Sequence, residues 1–121
     1  MDALPKVGRY LFAIPMGVFG LLHFVNGAAM AGMVPIPGGI VWVYLIGVAL
    51  IAATVSILIG KHAVLATRLL GLMLLIFVFS IHLVAVIGGD MNSMAMILKD
   101  TALAGGAFIL SGVLADEATE G

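Results

Sequence analysis

Four long apolar runs occupy almost all of the chain, at about residues 7–32, 40–59, 63–87 and 94–115. Each approaches or exceeds the roughly 20 residues that an α-helix needs to cross a hydrocarbon core about 30 Å thick. Hydrophobic residues make up 64% of the 121 residues and charged residues 9%. A water-soluble globule of this size could not bury so much apolar side chain, because its surface is too large relative to its interior. The runs therefore predict a single all-α domain over residues 1–121, an integral membrane four-helix bundle.

The distribution of positive residues predicts how this bundle is oriented. Sequential helices joined by short turns are expected to be antiparallel neighbours. Lys6, Arg9, Lys61 and Arg68 lie at the N-terminus and beside the second turn, whereas the first and third turns contain no Lys or Arg. Positive residues mark the cytoplasmic side of a membrane protein. We therefore expect both termini to be cytoplasmic, in a prokaryotic cytoplasmic (inner) membrane.

Charge and cysteine content exclude several classes of function. The net charge is −1 and the chain has no basic block, so nucleic acid is not an expected partner. The chain has no cysteine, which excludes disulfide exchange, iron–sulfur clusters and thiolate zinc sites. A divalent metal site would need more His or carboxylate ligands than the membrane layer offers, so no metal ligands are predicted.

Four ionisable residues, His23, His82, Lys99 and Asp100, lie inside the apolar runs. One such residue at a helix centre costs roughly 2.5–3.5 kcal/mol on insertion scales, so each marks a candidate site. At about 1.5 Å of rise per residue, all four lie roughly 8–13 Å from the outer turns. Asn26 follows His23 by three residues on the same helix face. The sequence thus predicts a candidate ligand-binding layer of these five residues in the outer half of the membrane.

A repeated spacing links this layer to the cytoplasmic side. Thirteen residues separate Arg9 from His23, and thirteen separate Arg68 from His82. The same offset relates Gly47 to Gly106. This pattern would fit two parallel two-helix units, although chance is a competing explanation because few other positions match. We interpret Arg9 and Arg68 as structural polar residues on the cytoplasmic side.

Several chemistries could use the layer. A quinone needs hydrogen-bond donors to its carbonyls at one depth, which His23, His82 and Lys99 could supply. Two histidines on neighbouring helices could ligate a b-type haem, but two isolated histidines are weak evidence and a haem is not expected. A proton path could use Asp100 with the histidines. The layer could also bind nothing and instead fix the register of the helices as a polar network.

Short motifs occur over about residues 7–112: Arg9, the segment Phe19-Gly20-Leu21-Leu22-His23-Phe24, Pro37-Gly38, the Gly60–Arg68 stretch and Leu98-Lys99-Asp100 leading into Ala104-Gly105-Gly106. Together these motifs resemble the DoxX-like family of four-helix membrane proteins. Family relatives include a small subunit of thiosulfate:quinone oxidoreductase and membrane partners of redox-stress enzymes. The chain departs from the family at the start of the second helix, where Val41-Trp42-Val43-Tyr44 contains no acidic residue.

The polar layer and this resemblance together imply a small accessory subunit of a membrane redox or respiratory assembly that binds a quinone or lipid. Such a subunit is not expected to be catalytic on its own. Its expected partners are the lipid bilayer and either other membrane subunits or further copies of itself. The alternatives are a membrane scaffold or assembly protein without a ligand, and a small transporter or ion-conducting oligomer.

Overall fold

Helices account for nearly all of the part of the chain that the computed structural model describes, which is residues 3–32 and 38–120. Within those ranges there is no β-strand. The elements in chain order are α1 (Leu4–Val25), α2 (Gly27–Ala31), α3 (Gly39–Ile59), α4 (Ala63–Phe77), a π-helical turn (Val78–His82), α5 (Leu83–Ile87) and α6 (Asn92–Glu120).

Four helical stretches among the described residues are long and apolar enough to cross a membrane: Leu4–Val25, Gly39–Ile59, Ala63–Ile87 and Asn92–Glu117. The all-helical class and the four candidate spans are therefore confirmed. The first apolar run forms two helices rather than one, because α1 ends at Val25 and α2 begins at Gly27. Helix α1 continues through Pro15. The first turn is predicted at residues 33–39, of which 33–37 lie outside the described residues.

The turn between α3 and α4 is the shortest connection between two spans. Gly60 ends α3 with a φ of 78°, and its N–H donates to the carbonyl of Ser56 at 2.9 Å. This left-handed conformation closes the last turn of a helix and is readily adopted only by glycine. His62 also has a positive φ, 56°, and directly precedes α4. Three residues thus connect α3 to α4, and the two helices are in contact.

The spans pack mainly in two pairs, α1 with α3 and α4 with α6, and α3 also contacts α4. The backbones of α1 and α3 approach closely at Gly20 and Gly47. A Cβ built on Gly47 would lie 2.9 Å from the Cβ of His23 and 3.1 Å from the carbonyl oxygen of Gly20. Helix association in lipid depends on such van der Waals contact between small residues. This crossing therefore fixes the position of His23.

An apolar core fills the middle of the bundle and contains Met16, Leu50, Ala53, Leu70, Leu74 and Ala104. By chain position Met16 lies between Arg9 and His23 on α1, and Leu50 and Ala53 lie on α3. Leu70 and Leu74 lie between Arg68 and His82 on the third span, and Ala104 lies between Asp100 and Ser111 on α6. Many large apolar side chains are exposed on the outside of the bundle. In water such a surface would be unfavourable, whereas in a bilayer it is solvated by lipid tails.

Candidate ligand site in the histidine layer

A cavity of about 180 Å³ lies where α1, the π-helical turn and α6 meet. Four residues of the predicted layer, His23, His82, Lys99 and Asp100, line it. His23, His82 and Asp100 are each only 6% exposed. We call this space the layer cavity; its remaining lining residues are Phe19, Met30, Val43, Ile46, Phe77, Ile81 and Met96.

His82 and Asp100 form a buried pair that links the π-helical turn to α6. The Nε2 of His82 lies 3.0 Å from the Oδ2 of Asp100. On the other side of the carboxylate, the Nζ of Lys99 lies 3.8 Å from Oδ1. An ionised carboxylate only accepts hydrogen bonds, so the imidazole N–H donates and the neighbouring ammonium balances the negative charge.

Lys99 is the exposed member of this group, with about half of its side chain accessible. Its Nζ donates to the Sδ of Met96 at 3.7 Å. It also lies 5.6 Å from the centre of the Phe19 ring, within range of a cation–π contact. A lysine on a membrane helix can place its ammonium near the interface while its methylene chain stays in apolar surroundings. Lys99 therefore connects α6 with α1 at the rim of the layer cavity.

His23 is held by its own helix. Its Nδ1 lies 2.8 Å from the backbone carbonyl oxygen of Phe19, four residues earlier, and the Phe19 ring meets the imidazole edge to face at 4.8 Å. A carbonyl oxygen accepts only, so Nδ1 carries the hydrogen. In a neutral ring this leaves Nε2 as the acceptor nitrogen.

His82 differs from His23 because it ends a π-helical turn, Val78–His82. The carbonyl of Val78, four residues before His82, accepts from the backbone N–H of Leu83. The Nδ1 of His82 makes no bond to it; among the described residues this buried nitrogen has no hydrogen-bond partner at all. Single π-helical turns inside α-helices often occur at functional sites, and a buried polar atom without a partner is unfavourable unless a ligand satisfies it.

Asn26, the fifth predicted site residue, is not among the residues that line the layer cavity. It is exposed and lies at the end of α1, where its backbone N–H donates to the carbonyl of Leu22 at 2.8 Å. Asn26 would share a helix face with His23 only if the helix continued through residue 26. Because α1 ends at Val25, the side chain of Asn26 does not follow His23 into the layer cavity.

Arg9 ties three helices together at the opposite end of the bundle. Its Nε donates to the carbonyl of Ile57 at 2.9 Å, its Nη2 donates to the same oxygen, and its Nη1 lies 3.1 Å from the Oε2 of Glu117. Ile57 is in the last turn of α3, where carbonyls lack partners within the helix and the helix dipole favours a positive charge. Arg9 thus caps α3 and pairs with α6.

Arg68, the counterpart of Arg9 in the repeated spacing, is more exposed and donates from Nε to the Oγ of Ser111 at 3.4 Å. Both arginines border a hollow of about 580 Å³ with Glu117 and His62. The polar groups of this hollow are already paired or exposed. Of the two spaces, the smaller layer cavity is the one lined by a residue, His82, whose side chain has a buried polar atom without a partner among the described residues.

Three features of these sites do not follow from the sequence reasoning. Met96 and Met30 line the layer cavity although neither is a polar residue, and Glu117, which follows the last apolar run, pairs with Arg9. Met96 precedes Lys99 by three residues, so helical spacing is a signal that could have found it. Nothing in the sequence marks the π-helical turn. No group of three or more His, Cys, Asp or Glu side chains that could hold a metal ion occurs among the described residues.

Comparison with protein-family models, with curated proteins and with solved structures gives no match to this chain.

Proposed function

We propose that this protein is a small integral-membrane subunit that binds a redox lipid of the quinone class in the layer cavity. The observation that carries the proposal is the Nδ1 of His82, a buried nitrogen with no hydrogen-bond partner among the described residues, on a side chain that lines the cavity. A ligand oxygen at hydrogen-bond distance would supply the missing partner and remove the cost of leaving it unpaired.

The size and the lining of the layer cavity fit a single substituted ring. An engineered apolar cavity of about 150 Å³ is known to hold benzene, so about 180 Å³ has room for a ring of this kind. The aromatic and aliphatic residues Phe19, Phe77, Val43 and Ile46 offer apolar contact to such a ring. The isoprenoid tail of a quinone would extend from the cavity along the lipid-facing side of the bundle.

The polar groups of the cavity suit the ring oxygens of such a ligand. Lys99 supplies an ammonium donor at the rim, and the two imidazoles lie on different helices. Pockets that orient small molecules commonly combine an apolar lining with a few polar groups in this way. The ligand would be held at one depth in the membrane by hydrogen bonds at its head and by lipid at its tail.

In this proposal the protein is an accessory subunit of a membrane redox or respiratory assembly and is not catalytic alone. It belongs in a prokaryotic inner membrane with antiparallel spans and both termini in the cytoplasm. The clustering of Lys6, Arg9, Lys61 and Arg68 supports this orientation. The sequence resemblance to DoxX-like proteins supports the quinone-linked role. Expected partners are other membrane subunits or further copies of the chain.

A scaffold protein without a ligand is the second candidate, and the pairing within the layer favours it. Asp100 already contacts both His82 and Lys99, so the layer could serve only to hold α6 against the third span. The third candidate, a transporter or ion-conducting oligomer, has less support, because the apolar core around Leu50 and Leu74 separates the layer cavity from the polar groups near Arg9 and Arg68.

A pair of matched substitutions on α3 separates the first two candidates. Val43 lines the layer cavity and is 3% exposed, whereas Val48 on the same helix is 56% exposed. Val43→Phe fills the cavity without removing a polar group, and Val48→Phe adds the same volume on the lipid-facing side. Each protein is purified in mild detergent from membranes that contain quinone, and the lipids extracted from it are quantified by mass spectrometry.

We expect close to one quinone per protein in the wild type and in Val48→Phe, and a loss of most of it in Val43→Phe with the thermal stability of the detergent-solubilised protein retained. Bulk phospholipid alone in the wild type would contradict the proposal and favour the scaffold. An absorbance scan of the same sample tests the haem alternative, since a bound haem would give a Soret band.

A further inference from the structure

We infer that the layer cavity binds the reduced, hydroxyl-bearing quinol in preference to the quinone. This inference rests on the proposed function and adds which redox form the site holds. The two forms differ in one relevant respect: a quinone oxygen only accepts hydrogen bonds, whereas a quinol hydroxyl both donates and accepts. The preference for quinol or quinone therefore depends on whether the Nδ1 of His82, which has no partner among the described residues, is a hydrogen-bond donor or acceptor.

The contact with Asp100 decides the position of the hydrogen on His82. Its Nε2 faces the Oδ2 of Asp100 at 3.0 Å, and Lys99 flanks the other carboxylate oxygen at 3.8 Å. A carboxylate that balances the charge of an ammonium can only accept hydrogen bonds. The hydrogen of the imidazole therefore lies on Nε2, and in a neutral ring Nδ1 is a bare acceptor.

The charge balance of the layer indicates that the His82 ring is neutral. The ionisable side chains that line the cavity are His23, His82, Lys99 and Asp100. The positive charge of Lys99 and the negative charge of Asp100 already cancel. A protonated His82, only 6% exposed, would add an unbalanced charge within the membrane, which is unfavourable.

His23 offers the same kind of group. Its Nδ1 donates to the carbonyl of Phe19 at 2.8 Å, so its remaining nitrogen, Nε2, is an acceptor. Each of the two histidines that line the cavity thus has one acceptor nitrogen. A quinol hydroxyl can donate to such a nitrogen and still accept from Lys99. A quinone can accept from Lys99 but leaves the Nδ1 of His82 without a partner, which is costly for a buried polar atom.

The affinity ratio of the two redox forms tests this inference on the wild-type protein. Decylubiquinol and decylubiquinone are equilibrated separately with purified protein in detergent without oxygen, and bound ligand is measured by chromatography. We expect the quinol to bind about tenfold or more tightly than the quinone. In parallel, ¹⁵N NMR of protein labelled at its three histidines reads which ring nitrogen of each carries the hydrogen.

Asp100→Asn gives a variant in which the tautomer can change. The amide group of Asn can donate to Nε2, which moves the imidazole hydrogen to Nδ1 and turns that nitrogen into a donor. We expect the ¹⁵N spectrum to show this change and the preference to fall to parity or to favour the quinone. Asp90→Asn makes the same chemical change outside the cavity and should keep the wild-type ratio.

Each result bears on a different statement. A wild-type His82 with its hydrogen on Nδ1, or a quinone that binds as tightly as the quinol, overturns the inference while the proposed function stands. Binding of neither form to the wild type overturns both. A ligand preference that does not follow the tautomer in Asp100→Asn also overturns the inference. If that variant does not fold, the wild-type tautomer and affinity ratio decide the matter alone.

Discussion

The imidazole of His82 lies 3.0 Å from the carboxylate of Asp100. This contact connects the last residue of the π-helical turn to the N-terminal half of α6. Both side chains are less than 10% exposed. In an apolar interior a hydrogen bond to a charged group is stronger than in water, and an unpaired polar group is correspondingly unfavourable. This pair therefore contributes to the packing of α6 as well as to the layer cavity.

Removal of the Asp100 carboxylate should destabilise the bundle. Asp100→Ala leaves the N–H of His82 buried without an acceptor, and we expect a loss of about 1–3 kcal/mol in the free energy of unfolding. Thr101→Ala, at the exposed neighbouring position, is the control and should have little effect. Reversible denaturation in mixed micelles measures both. An equal effect of the two substitutions would show that the pair does not stabilise the fold.

The crossing of α1 and α3 should not tolerate a side chain at Gly47. In Gly47→Ala the new Cβ would lie 2.9 Å from both the Cβ of His23 and the Cε2 of Phe24, so the helices must separate. Overpacking of this kind typically costs about 1–3 kcal/mol.

The matched control for this substitution is Gly105→Ala on α6, where a Cβ would meet nothing within 4 Å. Alanine is a better helix former than glycine, so we expect Gly105→Ala to leave the stability unchanged or raise it by up to about 1 kcal/mol. Thermal unfolding in detergent distinguishes the two variants. A Gly47→Ala protein as stable as the wild type would contradict the close crossing.

Arg9 should matter more than its acidic partner. Arg9→Met removes two donors from the carbonyl of Ile57 at the end of α3, and we expect a cost of about 1–3 kcal/mol. Glu117→Gln removes only a partly exposed ion pair, for which we expect about 1 kcal/mol or less. A double-mutant cycle on unfolding free energies measures the coupling of the two residues. An equal cost for both substitutions would be evidence against the capping role of Arg9.

The proposed orientation can be tested with single cysteines, because the chain has none of its own. Lys61→Cys lies in the turn between α3 and α4, and Met91→Cys lies at an exposed position in the turn before α6. With both termini in the cytoplasm, a membrane-impermeant maleimide should label Met91→Cys in intact cells. It should label Lys61→Cys only after permeabilisation. The reverse pattern would show that the bundle is inserted the other way.

The apolar runs in the sequence were sufficient to predict an all-helical chain with four candidate spans. A stretch of some 20 apolar residues can satisfy its backbone in lipid only as a helix or within a barrel, so this level of structure depends on local composition alone. Because the rise per residue of a helix is constant, the sequence also predicted that His23, His82, Lys99 and Asp100 lie at one depth. In the structure these four residues line one cavity.

The sequence alone therefore determined the all-helical class and the four candidate spans, and it grouped four ionisable residues that line one cavity. The tertiary structure decided the rest: that Gly20 and Gly47 are the residues that meet, that Asn26 ends α1 outside the cavity, and that Glu117 reaches Arg9. It also decided that a π-helical turn leaves the Nδ1 of His82 without a partner among the described residues. These features depend on how helices cross and rotate against one another, which periodicity and rise per residue do not specify.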